Sequence, residues 1–241
     1  MEGSLANLTG IARERYVQEM FTRIAHRYDL MNRLMTAGQD VRWRKEVIRL
    51  AQLPAQGRLL DLGTGTGDLA REILLRHPEG HVVAADFTLE MMRVGQAQHF
   101  EERGQREMNW TTADALRLPF PSASFDAVVS GFLMRNVSDV RLSLQEQYRL
   151  LKRGGHIVIL DTAPPAESPW LPLIHFHLHT VIPTLGKLIS GQAEAYQYLP
   201  DSTEAFLHPE QMAMRLVETG FRNVAFQLKM FGTVAIHWGE K

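Results

Sequence analysis

The densest chemistry in this sequence lies in Asp61-Leu62-Gly63-Thr64-Gly65-Thr66-Gly67-Asp68. A glycine-rich loop after an apolar run lets a ligand approach the backbone closely. The spacing is not the dinucleotide fingerprint, because the third glycine comes one residue early and Asp68 fills its slot. No Lys-Ser or Lys-Thr follows, which excludes a P-loop. Asp61 is the deciding residue. A carboxylate at a strand end suits a cationic amine better than a pyrophosphate. S-adenosylmethionine, with its ammonium and sulfonium, meets that requirement; a plain tight turn is the alternative.

Further polar groups fall where successive strands should end. Asp86 closes the second apolar run, and a carboxylate there can accept from both hydroxyls of a ribose, unless it serves as a helix N-cap. Phe87 either lies against an adenine or packs in the core. Asp114-Ala115 follows the third run, where an acid can accept from the adenine amino group or simply be solvated. Ser130 ends the fourth run, at the centre of the expected sheet.

Elements that could position these groups follow from the hydrophobic pattern. Strands are expected at 58–62, 81–85, 109–111, 125–130 and 156–160, with helices at 67–76 and 89–102. A further helix starts at an Asp139 N-cap and ends near Leu151, and Arg153-Gly154-Gly155 reads as a turn. Residues 223–230 and 233–237 read as a closing hairpin. Alternating strands and helices imply an α/β fold, Rossmann-like, with a seven-stranded, mostly parallel sheet and an antiparallel hairpin at its end. One domain, 1–241, is expected, with a core at 57–161, the hairpin at 223–239, and helical lids at 11–52 and 168–219 over the carboxyl edge.

Composition narrows the function classes. Across 241 residues, 26 Lys and Arg oppose 27 Asp and Glu. That near-neutral balance argues against a nucleic-acid partner held by phosphate contacts. The absence of cysteine removes disulfides, thiolate nucleophiles and Cys-type metal sites. The first 18 residues lack a basic run followed by an apolar one, so a cytoplasmic location is expected. The apolar stretch 170–189 carries three histidines, two prolines and a lysine, which is wrong for a membrane span.

Two longer signatures carry a resemblance. Tyr28-Asp29-Leu30-Met31-Asn32 with Trp43, and Arg135-Asn136-Val137-Ser138-Asp139, make the chain similar to the ubiquinone/menaquinone-biosynthesis C-methyltransferases, within the S-adenosylmethionine-dependent superfamily. The likeness runs from about Met20 onward and includes Leu118-Pro119-Phe120-Pro121 and Tyr196-Gln197-Tyr198-Leu199-Pro200-Asp201-Ser202. It implies that Asp61, Gly63, Gly65, Thr66, Asp86, Asp114, Ala115 and Ser130 hold the cofactor. Thr36 and Asp40 stand where this family often has Ser and His, and Asp161-Thr162-Ala163 stands for its usual Glu-Phe-Ser.

The implied reaction is methyl transfer to a ring carbon of a prenylated quinol, most simply demethylmenaquinol, with a ubiquinone precursor or another prenylated phenol as the alternative. An NAD-dependent oxidoreductase fits the loop poorly, and a non-catalytic binder of cofactor or quinone is the remaining rival. A phenol ionises at about pH 10, so some group must accept its proton or stabilise its anion. By resemblance, Arg135 helps prepare the quinol; an arginine does so by stabilising the phenolate rather than as a base. Asp29, through a water, or Asp161 could take the proton, unless Asp29 pairs with Arg27 or Arg33 and Arg135 with Asp139. Tyr28, Asn32 and Asn136 could position the ring oxygens. No metal is expected: His175 and His179 share a helix face but His177 does not. The 170–189 segment instead lines a channel for the isoprenoid tail or lies at the inner membrane surface. Met31, Leu34, Met35, Phe132 and Met134 either extend that channel or pack the core, and Tyr196 and Tyr198 touch the head group or the core. Self-association is left open.

Overall fold

β1 (Arg58–Leu62) and β2 (His81–Asp86) form where apolar runs are bounded by turn residues. The computed structural model describes residues 10–101 and 108–241. Glu102, the expected last residue of the second helix, lies outside them, as do the first nine residues. β3 (Asn109–Thr112), β4 (Phe125–Gly131) and β5 (Leu151–Thr162) complete the parallel part of the sheet. β6 (Arg222–Lys229) and β7 (Val234–Glu240) close it as an antiparallel hairpin. The order β3-β2-β1-β4-β5-β7-β6 places β7 inside the sheet and leaves β6 at the edge. The chain winds outward from β1 in one direction and from β4 in the other. Their shared carboxyl edge is therefore the switch point at which open α/β sheets bind ligands.

Strand alternation feeds a core on each face. Leu59, Ala127, Val129, Val158 and Leu160 pack one way, against α4 (Asp68–Arg76), while Leu60, Val128, Ile157 and Ile159 pack the other, against α6 (Val140–Leu150). Asp139 caps α6 by accepting from Leu142 N at 2.9 Å, as expected. The expected turn at 153–155 is instead an excursion within β5: Phe125 pairs with Leu151 and Ala127 with His156, and Gly154 takes the extra residues round at φ 76°. The strands on either side still pair with β4, so the strand is longer than its apolar run.

The helical segments divide differently from the expected lids. α1 (Gly10–Ile24) and α2 (Tyr28–Met35) lie over the sheet edge with α7 (Leu171–Phe176), α8 (Ile182–Ser190) and α9 (Ala193–Glu204). They share a cluster built on Met20, Met31, Ile174 and Tyr198. α3 (Asp40–Leu50) and α10 (Pro209–Thr219) do not belong to it. Trp43 and Val47 of α3 enter the first core, and Met212 and Leu216 of α10 enter the second. Both carry a continuous apolar stripe, which is what a helix covering a sheet face needs. A one-turn wider helix, His177–Val181, joins α7 to α8, and among the described residues no helix is long and apolar enough to cross a membrane.

α5 (Leu89–Glu101) holds the glycine loop from below through Gly95. A Cβ there would stand 2.3 Å from Thr66 O. Gly95→Ala should therefore push α5 off the loop and destabilise the fold by about 1–3 kcal/mol. A thermal-unfolding midpoint equal to that of the parent would remove this contact from the reasons for the glycine.

Candidate active site

The loop between β1 and α4 is fixed by backbone bonds to the neighbouring strand. Gly63 N and Thr64 N both donate to Ala85 O, at 2.8 and 3.0 Å, and Gly65 N donates to Asp86 Oδ2 at 2.8 Å. Gly67 has φ 84°, and a Cβ on it would lie 2.6 Å from the Trp110 ring, so both conformation and space demand glycine. Above this loop lies a cavity of about 110 Å³ lined by Gly63, Gly65, Asp86, Phe87, Asp114 and Ala115. A smaller continuation of about 50 Å³ is lined by Asp29, Asn32, Asp61 and Thr66. Every expected cofactor position except Ser130 lines one of the two. Ser130 is fully buried with an unpartnered hydroxyl, behind Gly131, which lines both.

The acids are set by their surroundings. Asp61 Oδ2 accepts from Thr64 Oγ1 at 2.6 Å and Ala70 N at 3.1 Å, whereas Oδ1 is buried without a partner. Burial pushes its pKa up to about 7. An orphaned acceptor in that position fits an ammonium group. Asp86 also accepts from Thr88 N at 2.7 Å, and burial raises its pKa. Its bonds are to the two loops that frame the cavity, and Thr88, not Asp86, stands directly before α5. Asp114 is exposed and accepts from Leu116 N at 2.9 Å.

Asp29 points into the glycine loop. Thr66 Oγ1 donates to its Oδ1 at 2.6 Å and Gln98 Nε2 to its Oδ2 at 3.4 Å, so the pairings with Arg27 or Arg33 do not form. Burial and the nearby Asp68 raise its pKa. Arg33 instead lies 3.6 Å from Asp40, whose Oδ1 accepts from Thr36 Oγ1 at 3.0 Å. The two residues that depart from the resembled pattern thus bond to each other.

Arg135 likewise has a different partner from the expected one. Asp139 is occupied as the α6 cap, and Arg135 Nη1 donates to Asp161 Oδ1 at 2.7 Å. Arg135 N reaches Asp161 Oδ2 at 3.2 Å, and both side chains are almost without solvent. Arg135 Nη1 also donates to Phe132 O at 3.0 Å, while Nε is buried without a partner. Asp161 backs Arg135 rather than lining a cavity; Arg135 itself lines one of about 390 Å³ with Asn32, Phe132, Ile174, His177 and Phe231.

Phe132 lines this cavity and both cofactor-side cavities, so it stands between them at the strained φ of 60°. Tyr28 lines the cofactor side, and burial raises its pKa. Asn32 reaches both sides. Asn136 faces the cofactor side; it accepts from Tyr198 OH at 3.2 Å and donates to Phe132 O at 3.1 Å. Tyr196 and Tyr198 are buried between the lids, and Met31 and Met134 are core residues, whereas Met35 lines the large cavity. His177 Nε2 lies 3.2 Å from Met35 O, and His179 pairs with Glu204. Among the described residues no three His, Asp or Glu side chains gather as a metal site.

Solved structures share the architecture. An S-adenosylmethionine-dependent methyltransferase from Aquifex aeolicus superposes with TM-score 0.59 at 17% identity, over 81% of this chain and 88% of that one. The [4+2]-cyclase SpnF gives 0.63 at 17% identity, over 83% and 80%. The fold alone therefore leaves the reaction open. Sequence comparison decides further: residues 9–241 match the ubiE/COQ5 methyltransferase family. The chain belongs to that family. A demethylmenaquinone methyltransferase of Thermus thermophilus is 44% identical over 92% of this chain and all of its own length. A ubiquinone/menaquinone biosynthesis C-methyltransferase of Desulfotalea psychrophila is 43% identical over 93% of this chain and 90% of its own.

Some site residues of this ubiE/COQ5 methyltransferase escaped the sequence reading. Arg44 lines the cavity beside Asp61 and bridges Asp40, at 2.7 Å, and Asp68. Its place one residue after Trp43, on the polar side of an amphipathic helix, was the available signal. Gly131 gave none beyond its place after Ser130.

Two measurements follow from the acids. The folded protein raises the pKa of Asp61, so in the absence of ligand this group contributes stability below the ordinary carboxylate range and loses it as pH rises through about 7. A bound ammonium favours the ionised form. Binding of S-adenosylmethionine at pH near 6.5 should therefore release a proton, detected calorimetrically as an enthalpy that differs between phosphate and Tris. Asp61→Asn should abolish the difference; equal enthalpies in the parent protein would refute the assignment. Asp86→Ala should weaken cofactor binding by about 1.5–3 kcal/mol, and an unchanged dissociation constant would exclude Asp86 as the ribose acceptor.

Proposed function

We propose that the protein transfers a methyl group from S-adenosylmethionine to a ring carbon of a prenylated quinol, converting demethylmenaquinol to menaquinol. The observation that carries this reading is the meeting of two unlike cavities at Phe132: one lined by carboxylates and glycine backbone, the other apolar with Arg135 in its wall. The 44% identity to a demethylmenaquinone methyltransferase supports the substrate. Bound cofactor supplies an electrophilic methyl, so the ring carbon gains CH₃ and loses a proton. Arg135 stabilises the phenolate formed from the neighbouring ring hydroxyl, and Asp161 holds the guanidinium in place. Asp29, made more basic by burial, accepts the hydroxyl proton through a water that passes Asn32, which lines both cavities, and the proton then lost from the methylated carbon returns the ring oxygen to a hydroxyl. Tyr28 and Asn136 position the ring edge from the cofactor side of Phe132.

Exposed Trp170, Leu173, Phe176 and Phe231 rim the large cavity. This apolar mouth suits a shallow, peripheral contact with the cytoplasmic face of a membrane, from which a prenyl tail enters.

Labelled S-adenosylmethionine incubated with reduced demethylmenaquinone should deliver its label to the lipid. Cofactor binding without label in any quinol would refute the reading. Arg135→Lys keeps the charge but loses the planar fork, and should lower kcat by roughly 10–100-fold with the cofactor dissociation constant unchanged. A parental kcat in that variant would remove Arg135 from the chemistry.

A further inference from the structure

The large cavity has polar groups besides Arg135, and most are already satisfied. Thr36 Oγ1 has acceptors at 2.8 Å in Asn32 O and 3.0 Å in Asp40 Oδ1, Thr233 Oγ1 donates to Met230 O at 2.8 Å, and the His177 ring nitrogen faces Met35 O. Thr162 and Thr203 differ. Their hydroxyl oxygens lie 2.9 Å apart, with Thr203 donating, and both side chains line the cavity. A hydroxyl carries one proton and two lone pairs. The pair shares one proton between its oxygens, and whichever direction that bond takes, one O–H remains to donate. With Thr203 donating, the free O–H is that of Thr162, half-buried in the cavity wall. A donor facing apolar walls is costly unless a ligand oxygen accepts from it.

The pair is tied to Arg135 through one carboxylate. Thr162 N donates to Asp161 Oδ1 at 2.8 Å, the same oxygen that takes Arg135 Nη1 at 2.7 Å. One carboxylate oxygen therefore anchors both the guanidinium and the backbone that carries the Thr162 hydroxyl. We infer that the Thr162–Thr203 hydroxyl pair binds the ring oxygen remote from the reacting carbon, and so selects dihydroxy over monohydroxy rings. This rests on the methyl-transfer reading above and adds a specificity determinant to it. A purely structural pair would only clamp α9 to β5.

The test uses two reduced rings at saturating S-adenosylmethionine. One is a geranyl naphthohydroquinone; the other is the matching geranyl naphthol, which keeps the hydroxyl beside the reacting carbon and lacks the remote one. The double variant Thr162→Val, Thr203→Val preserves side-chain shape, and its thermal midpoint reports whether the clamp holds. The parent protein should favour the diol in KM, and the double variant should raise KM for the diol about 3–10-fold, as expected for one neutral hydrogen bond, with KM for the naphthol within about twofold of parent. Thr162→Ser should retain the preference. Equal changes for both rings, or none, would overturn the inference while leaving methyl transfer intact. A parent protein that binds cofactor and methylates neither ring would overturn the methyl-transfer reading and the inference with it.

Discussion

A guanidinium and a carboxylate with almost no water around them hold the reacting end of this protein together. Arg135 sits on the turn after β4 and Asp161 near the end of β5. Three donors, Arg135 N, Arg135 Nη1 and Thr162 N, converge on that one carboxylate. Desolvating such a pair is expensive, and its Coulomb energy offsets the cost only when the remaining lone pairs are filled. Removing either partner would strand a buried charge, a loss of about 3–5 kcal/mol. The same guanidinium donates to Phe132 O and so supports a bulky residue in a strained backbone conformation. The partition between the cavities therefore depends on the ion pair beneath it.

The lid is attached to that arrangement more lightly. Arg13 of α1 donates to Arg135 O, Gln18 donates to Phe87 O, and Glu14 accepts from Ser138 Oγ. These bonds reach the loops after β2 and β4, which frame the cofactor cavity. Each is a side-chain bond at or near solvent, worth about 1 kcal/mol. The sheet below is held by continuous ladders and buried apolar faces. Local opening should begin in the lid and spare the glycine loop, which lets ligands exchange while Asp61 and Asp86 keep their places.

The strand ends were legible from sequence because glycine and aspartate punctuate apolar runs there, and backbone geometry leaves few other residues able to do so. β1 was bounded correctly, and β2 and β4 to within one residue, for the same reason. β5 was not, because the turn chemistry of Arg153-Gly154-Gly155 describes an excursion as well as an end; only pairing with Phe125 distinguishes them. The split between lid and core was also hidden: α1 and α3 are both amphipathic, and what each stripe covers is a tertiary fact. The partner of Arg135 shows the limit most clearly. Asp139 is four residues away and Asp161 twenty-six, yet the nearer acid is used by the start of α6. Thr203 and Arg44 arrive at the site from helices outside the alternating core, where local spacing carries no information about distance.

A cationic cofactor and an isoprenoid substrate ask for opposite environments, and one sheet edge provides both. On the β1–β2 side, burial without full pairing leaves Asp61 near the midpoint of its titration at neutral pH, so a cation completes its ionisation. On the β5 side, the charge is already paired and the walls are apolar, so the cavity presents a fixed positive group rather than water. Neither property shows in a net charge of −1. They arise because the parallel strands end together while the segments above them differ: glycine backbone over β1, aromatic and aliphatic lid helices over β5. Phe132 lines the cavities on both sides, so the two environments adjoin there, and methyl transfer needs the reacting atoms in direct contact beside it.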